Sequence, residues 1–407
     1  MKNIIRMLLA VLFFVHGAYA EVEWSYDPLL VVVLMVKNEE TVMRATLQPF
    51  VDGGIHSFFI FDTGSTDNTV GVTEEFFAEH GVTQGHIAQE PFIDFATSRN
   101  RALDLAQEQF PNAAFMIMLD AEWYLNDARA LVEFCELCLK RGDCHSSYLV
   151  HIVNQALDNY TCRLFRCNRG VRFFGVVHEV VPQSLSIKVP DSIYFEYLPE
   201  SNGVEKTAKR FIRDRELLLK EHQAKPWCTR TLFYLARTCE DLGNWQEAYH
   251  FYKIRVDMVG WDEEDFIVRY RLAQTIKKLV LQSDHKDDYS WSEALDYYME
   301  AYQMRPHRIE PLVEIADYYV AMDQMHLAFL FARRAVEAKY PVQDSLFVEK
   351  YLYNYYRYEL LARCSWYIKE FELGAMAARK AYEAYPNYKY AKINMDCYES
   401  LQSGVVV

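Results

Sequence analysis

An α/β domain on a mainly parallel sheet, followed by an all-α array of helical repeats, is the fold that this sequence predicts. Up to about residue 125, short β-rich runs alternate with segments of helical spacing. Beyond Gly203, small residues return at fixed offsets in one helical stretch after another. A third observation bears on chemistry: the runs VVVLMVKNEE (31–40), FFIFDTGSTDNT (58–69) and IMLDAEW (117–123) are apolar and close on acidic, turn-forming residues. In an open α/β sheet, ligands bind at the carboxyl ends of the strands, so these acids are expected to converge on one crevice.

The elements follow in order. Leu30–Val36 reads as a strand that stops at Lys37-Asn38, and 39–50 has helical spacing through Val42, Ala45, Leu47 and Phe50. Asp52-Gly53-Gly54 is a turn, and 57–61 is the second strand. A helix over 66–80 carries Val70, Val72, Phe76 and Phe77 as its apolar positions, and Gly81 closes it as a left-handed cap. A short strand at 86–88, a helix at 96–109 and a strand at 114–119 complete the alternation. It predicts helices on both faces of the sheet. Between 145 and 200 the runs SYLVHIV, CRLFRC and VRFFGVV are shorter and closer together, which predicts an antiparallel extension.

After a charged amphipathic helix over 204–223, with Phe211, Leu217 and Leu218 on its apolar side, a repeat begins. Ala236, Ala248 and Tyr252 match Ala316, Ala328 and Ala332 in spacing, and Ala362, Gly374 and Ala378 follow suit. A further copy keeps Ala294, Tyr298, Ala301 and Pro306, its first helix displaced by an insertion around 283–289. Small residues at these offsets let the two helices of a hairpin approach closely. The period of about 34 residues is that of tetratricopeptide repeats, here about four of them. The domains expected are therefore a signal peptide at 1–20, an α/β domain at 21–203 and the helical repeats at 204–407.

Composition narrows the function classes. The chain has 407 residues, half of them hydrophobic, which suits two domains with sizeable cores. With 43 Lys+Arg against 57 Asp+Glu and no long basic run, it lacks the footprint of a nucleic-acid binder. Lys2 and Arg6, the apolar stretch 7–15 and Ala18-Tyr19-Ala20 read as a secretory signal, too short for a membrane span. A membrane association is expected only if that segment stays uncleaved as an anchor. Its removal would take the formal charge from −14 to −16, since Lys2 and Arg6 go with it. Nine cysteines do not form a disulfide scaffold. Cys135, Cys138 and Cys144 beside His145 lack the second ligand pair of a structural zinc site, and Cys135 and Cys138 fall on an amphipathic helix as core thiols. Cys144 or Cys162 of an exported chain has the option of a disulfide with a neighbour. Asn159-Tyr160-Thr161 is a glycosylation sequon, relevant only in a eukaryotic secretory lumen.

The motifs VVVLMVKNEE, FIFDTGSTDNT, FATSRNRALDLA, IMLDAEW and RLFR…GVVHE, with the repeats after them, resemble family-2 glycosyltransferases of the GT-A fold. The whole chain is similar to their variant with C-terminal tetratricopeptide repeats. That resemblance implies a Rossmann-like GT-A domain and metal-assisted, inverting transfer of a sugar from a nucleotide-diphosphate donor, a UDP-sugar, to a glycan or protein acceptor. Asp120 and Glu122 stand where the family has its D-x-D motif, with a longer Glu in the second place. Together with His178 of GVVHE they are the expected ligands of Mn2+ or Mg2+, which offsets charge developing on the departing diphosphate. Asp62 matches the acid that binds the base or ribose of the donor, and Asn38 and Glu39 close the first strand in the same crevice. Arg99 and Asn100 match the family's R-N pair, in which a guanidinium reaches a phosphate.

An inverting transfer needs a carboxylate to take the acceptor's proton. Glu179 and Asp158 are both candidates. Asp67 is assigned to helix capping, Glu40 to solvated surface, and Arg163 and Arg166 to the outward face of a strand. The repeats offer a concave surface for the acceptor. An exported transferase needs a lumen supplied with donor, such as the endoplasmic reticulum or Golgi. The competing reading is an inactive transferase-like scaffold whose repeats recruit protein partners.

Overall fold

The computed structural model describes residues 26–153, 158–182, 187–198, 203–282, 288–344 and 346–402. The signal-like segment 1–20 and most of the 283–289 insertion lie outside them. The chain divides into two compact units, Met1–Gly175 with Glu179–Ser201, and Val176–His178 with Asn202–Val407.

In the first unit, β1 (Leu30–Val36), β2 (Ser57–Asp62), β3 (Gln84–Gln89) and β4 (Phe115–Leu119) are parallel, in the order β3-β2-β1-β4. Beyond β4 the sheet becomes mixed. β7 (Asp158–Arg166) runs antiparallel to β4 and to β6 (Ser147–Val153), whose other edge takes β8 (Ile187–Lys188) and β9 (Tyr194–Tyr197) in parallel. β5 (Trp123–Leu125) pairs with β9 at the far end of this order, though it follows β4 closely in the chain, so the sheet curls back on itself.

Side chains alternate across the pleat, which sorts the core into two layers. Leu30, Val32, Leu34, Phe58, Ile60, Ile117 and Leu119 pack under the helices Met43–Asp52, Thr69–Glu79 and Ala128–Lys140. Val31, Val33, Phe59, Phe61, Met116 and Met118 pack under the helix Phe95–Gln109. Gly81 ends the second of these helices at φ +60°. Cys135 and Cys138 are buried in the first layer, and none of the nine cysteines is in a disulfide.

One expected strand is absent. In VRFFGVV only Phe174 pairs, through an isolated bridge to Val180. Gly175 (φ +100°) and His178 (φ +52°) break the extended backbone between them. The apolar run serves two cores: Phe173 packs in the first unit and Val177 among Leu218, Leu232 and Phe233 of the second.

The second unit is helical throughout. Helix Gly203–Ala224 leads into four hairpins: Thr229–Asp241 with Trp245–Val256, Asp262–Gln282 with Trp291–Met304, Glu310–Ala321 with Met325–Glu337, and Arg357–Ile368 with Phe371–Ala384. Lys389–Gln402 follows as a last helix. The repeat positions Ala236, Ala248, Tyr252, Ala294, Tyr298, Ala316, Ala328, Ala332, Ala362 and Ala378 are all fully buried. No helix among the described residues is long and apolar enough to cross a membrane.

At Gly374 a Cβ would stand 1.9 Å from the Tyr398 hydroxyl and 2.8 Å from Ser365 Cβ. That hydroxyl donates to the Ala362 carbonyl at 2.7 Å, so it does not move aside freely. Gly374→Ala is therefore expected to destabilise the protein by about 1–3 kcal/mol, read from the denaturant midpoint. An unchanged midpoint would show that the last hairpin is looser than described.

Candidate active site

Strand register brings the expected acids together. Val36 of β1 is level with Asp62 of β2, and Leu34 is level with Leu119 of β4. Asp62 and Asp120 therefore flank β1 within one residue of the same level, roughly 10 Å apart by two strand spacings.

Asp62 is fully buried. It accepts from Ser65 N at 3.0 Å, Ser65 Oγ at 2.5 Å and Gln89 Nε2 at 2.9 Å. Asn38, at φ +57°, donates its N–H to Ser65 Oγ at 2.9 Å and accepts from Thr66 N at 2.7 Å. Asn38 stitches the 63–69 turn to the end of β1, and Asp62 ties it to the ends of β2 and β3. Glu39 is half-buried beside them, its N–H donating to Thr69 Oγ1 at 2.8 Å. Asp67 stands one residue ahead of the cap position Asn68, which makes no side-chain capping bond, and accepts from Thr69 N and Oγ1 in a local turn. Glu40 is not merely solvated: it accepts from Asn68 N at 2.7 Å.

The centre of the site is a four-charge cluster. Helix Phe95–Gln109 starts where Asp94 accepts from Thr97 N at 2.8 Å, and its second turn delivers Arg99 to the end of β4. Arg99 is 3% exposed, with Nη2 on Asp120 Oδ1 at 2.5 Å and Nε on Glu179 Oε1 at 2.6 Å. Arg163 on β7 lies 3.4 Å from Glu179 and 3.7 Å from Asp120. Both guanidiniums lie over the Phe173 ring, and Arg163 also over Trp123. Asn100 holds this floor in place: its amide donates to the Phe173 carbonyl at 2.9 Å and accepts from the Phe173 N–H at 2.8 Å.

Burial by itself would weaken the Arg99 charge, but Asp120 and Glu179 outweigh it and raise its pKa. Burial likewise favours neutral Asp120 and Glu179; Arg99 and then Arg163 override it and hold both below the ordinary carboxylate range. Arg163 is pushed down, first by burial and then by Arg99 beside it. Arg99 Nη1 and Arg163 Nε are buried without a hydrogen-bond partner.

Several expectations need correction. Arg163 is not a solvated strand-face charge but a member of this cluster. Glu179 is bound by two guanidiniums, which makes it a poor proton acceptor. Asp158 opens β7 at the β6–β7 hairpin, paired with Val153. Glu122 is half-buried, its carbonyl accepting from Leu198 N at 3.2 Å, in a turn that leads into β5.

His178 belongs to the second unit, where its ring stacks on Tyr234 at 4.2 Å and its carbonyl accepts from Arg230 at 2.7 Å. Among the described residues, no group of three His, Cys, Asp or Glu is disposed to hold a metal ion. Asp120, Glu122 and His178 therefore do not fit a divalent cation as a set. One Asp120 oxygen already faces Arg99, and a dication there would meet two guanidiniums.

No family model matches the chain. It is 23% identical over 249 residues to the SPbeta prophage-derived glycosyltransferase SunS of Bacillus subtilis (strain 168), covering 59% of this chain. The same figures hold for glycosyltransferase SunS of Bacillus phage SPbeta. The chain spans 56% of the length of these curated relatives. Among solved structures, the C-terminal part of a TPR repeat-containing protein from Cytophaga hutchinsonii is 14% identical, with 49% of this chain and 69% of that chain covered, at TM-score 0.38. YrrB, a TPR protein with an unusual peptide-binding site, is 13% identical over 46% and 84%, at TM-score 0.34. Likeness at these scores adds nothing to the hairpins described above.

The folded carboxyls of Asp120 and Glu179 lie below their unfolded values of about 3.9 and 4.3. The stability they add is thus complete above those values and is lost as pH falls through the folded ones. Glu179→Gln should cost about 3–5 kcal/mol at neutral pH, because it leaves buried guanidiniums uncompensated. That cost should shrink below about pH 4 in denaturant titrations. An equal cost at both pH values would contradict the pairing.

Proposed function

We propose that the chain is a glycosyltransferase that moves a sugar from a nucleoside-diphosphate donor, a UDP-sugar, to a glycan or protein acceptor with inversion. The observation that carries this is the convergence of Asn38, Glu39, Asp62 and Asp120 at the ends of three parallel strands. Similarity to glycosyltransferase SunS supports it.

In this reading the donor lies across the ends of β1, β2 and β4. Asp62 keeps the 63–69 turn in shape, and the nucleoside rests against that turn. Departure of the diphosphate concentrates negative charge. Arg99 and Arg163, anchored by Asp120 and Glu179, are preorganised donors with an unused N–H each. Fixed dipoles and charges in a dry site need no reorganisation at the moment of reaction, and this is their advantage over water. Glu179 is held by guanidiniums, so the acceptor's proton goes to another carboxylate, for which Asp158 is the second candidate. The repeats present the acceptor. The signal-like N-terminus suits a lumen supplied with donor.

A scaffold without activity is the second reading. The complete occupation of Asp62 by Ser65 and Gln89 favours it. Calorimetry with UDP separates the two, since a pure scaffold binds none.

Asp120→Asn preserves the side-chain shape but removes the charge that anchors Arg99. Donor hydrolysis and transfer should fall about 100-fold or more, with the circular dichroism spectrum retained. Unchanged turnover would overturn the site assignment.

A further inference from the structure

The last repeats form an open, groove-like cavity of about 580 Å³ on their surface, lined by Tyr353, Asn354, Tyr358, Lys380, Glu383 and Tyr385. Its volume is ordinary for a small-molecule site, roughly 300–1,000 Å³. A π-helical turn, Leu352–Tyr356, runs into the helix Arg357–Ile368 and forms one wall. Such turns recur at functional sites because they displace side chains from the regular helical face.

Hydrogen bonds hold the inner wall in place. Tyr353 is buried, its hydroxyl donating to Glu310 at 2.9 Å and accepting from Ile309 N at 3.1 Å. Tyr385 stands edge-on to Tyr351 and Tyr355 at 6.0 and 5.3 Å, and stays 42% exposed. Arg357, also on the lining, donates to the Ala335 and Ala338 carbonyls and to the Tyr358 hydroxyl. Its Nε–H is buried and has no partner, although the residue is only 8% exposed.

We propose that this cavity is a binding site for a neutral saccharide. The C–H face of a sugar ring is weakly positive and packs on the negative face of an aromatic ring, a platform that Tyr385 offers. Sugar hydroxyls both donate and accept. They match the Asn354 amide, the Glu383 carboxylate and the Lys380 ammonium, all exposed at the rim. An anion suits the site less well. Glu383 repels it, and the terminal nitrogens of Arg357 are already bonded to oxygens of the chain. A wholly apolar ligand would desolvate these polar groups without replacing their hydrogen bonds.

The proposal does not rest on the transferase reading, because its test needs no turnover. Cellotriose, chitotriose and maltotriose are titrated into the full chain by calorimetry, with inorganic phosphate and a tyrosine-containing peptide as comparison ligands. At least one trisaccharide should bind, and Tyr385→Ala and Asn354→Ala should each weaken it about ten-fold or more. Asn354 is exposed, so its variant keeps the test valid if Tyr385→Ala loosens the last repeat. Three outcomes overturn the proposal: no trisaccharide binding, binding that both variants leave unchanged, or a site that takes phosphate or the peptide instead.

Discussion

Three charges buried where β4 ends, Arg99, Arg163 and Glu179, cannot be accommodated singly, and half-buried Asp120 completes their pairing. A lone guanidinium or carboxylate in that position would be severely penalised, so Arg99, Arg163, Asp120 and Glu179 stand or fall as a group. Much of the first unit is arranged around this constraint. The Asp94 cap sets the start of helix Phe95–Gln109, and with it the position from which Arg99 reaches the cluster. The Asn100 amide clamps the backbone of Phe173, whose ring floors both guanidiniums. The Thr46 hydroxyl donates to the Ala121 carbonyl and so fixes the turn that carries Asp120. The same constraint redistributes the chemistry. It removes Glu179 from consideration as a base, and it gives Asp120 the task of orienting a cation of the protein itself.

The parts of this architecture that were legible in the sequence are those set by local pattern. The runs at β1, β2 and β4 are apolar throughout because both faces are covered, and their register follows from parallel pairing. The alanines of the repeats were legible because close helix approach admits little else, and each is fully buried. What escaped depends on partners far away in the chain. Arg163 alternates along a strand as a surface residue would. Only the antiparallel pairing of β7 with β4 delivers it to Asp120. VRFFGVV has the composition of a strand, yet its apolar residues are divided between two cores. The motif match that suggested a metal role for His178 carried no information about the Tyr234 ring on which it stacks.

The two units present different kinds of recognition surface. At the strand ends of the first, backbone turns and fixed charges suit a charged, nucleotide-like ligand. In the last repeats of the second, tyrosine faces and mixed donors and acceptors suit a neutral polyhydroxylated one. A glycosyltransferase needs recognition of both kinds, one for the donor and one for a glycan acceptor.

The central claim is that donor nucleotide occupies the strand ends around Arg99 and Asp120. Hydrogen–deuterium exchange of the full chain, with and without saturating UDP, tests it most directly. With donor nucleotide bound there, exchange slows in the segments 37–40, 62–69 and 120–123, with the repeat helices unchanged. Protection confined to the repeats, or none at the strand ends, would contradict it.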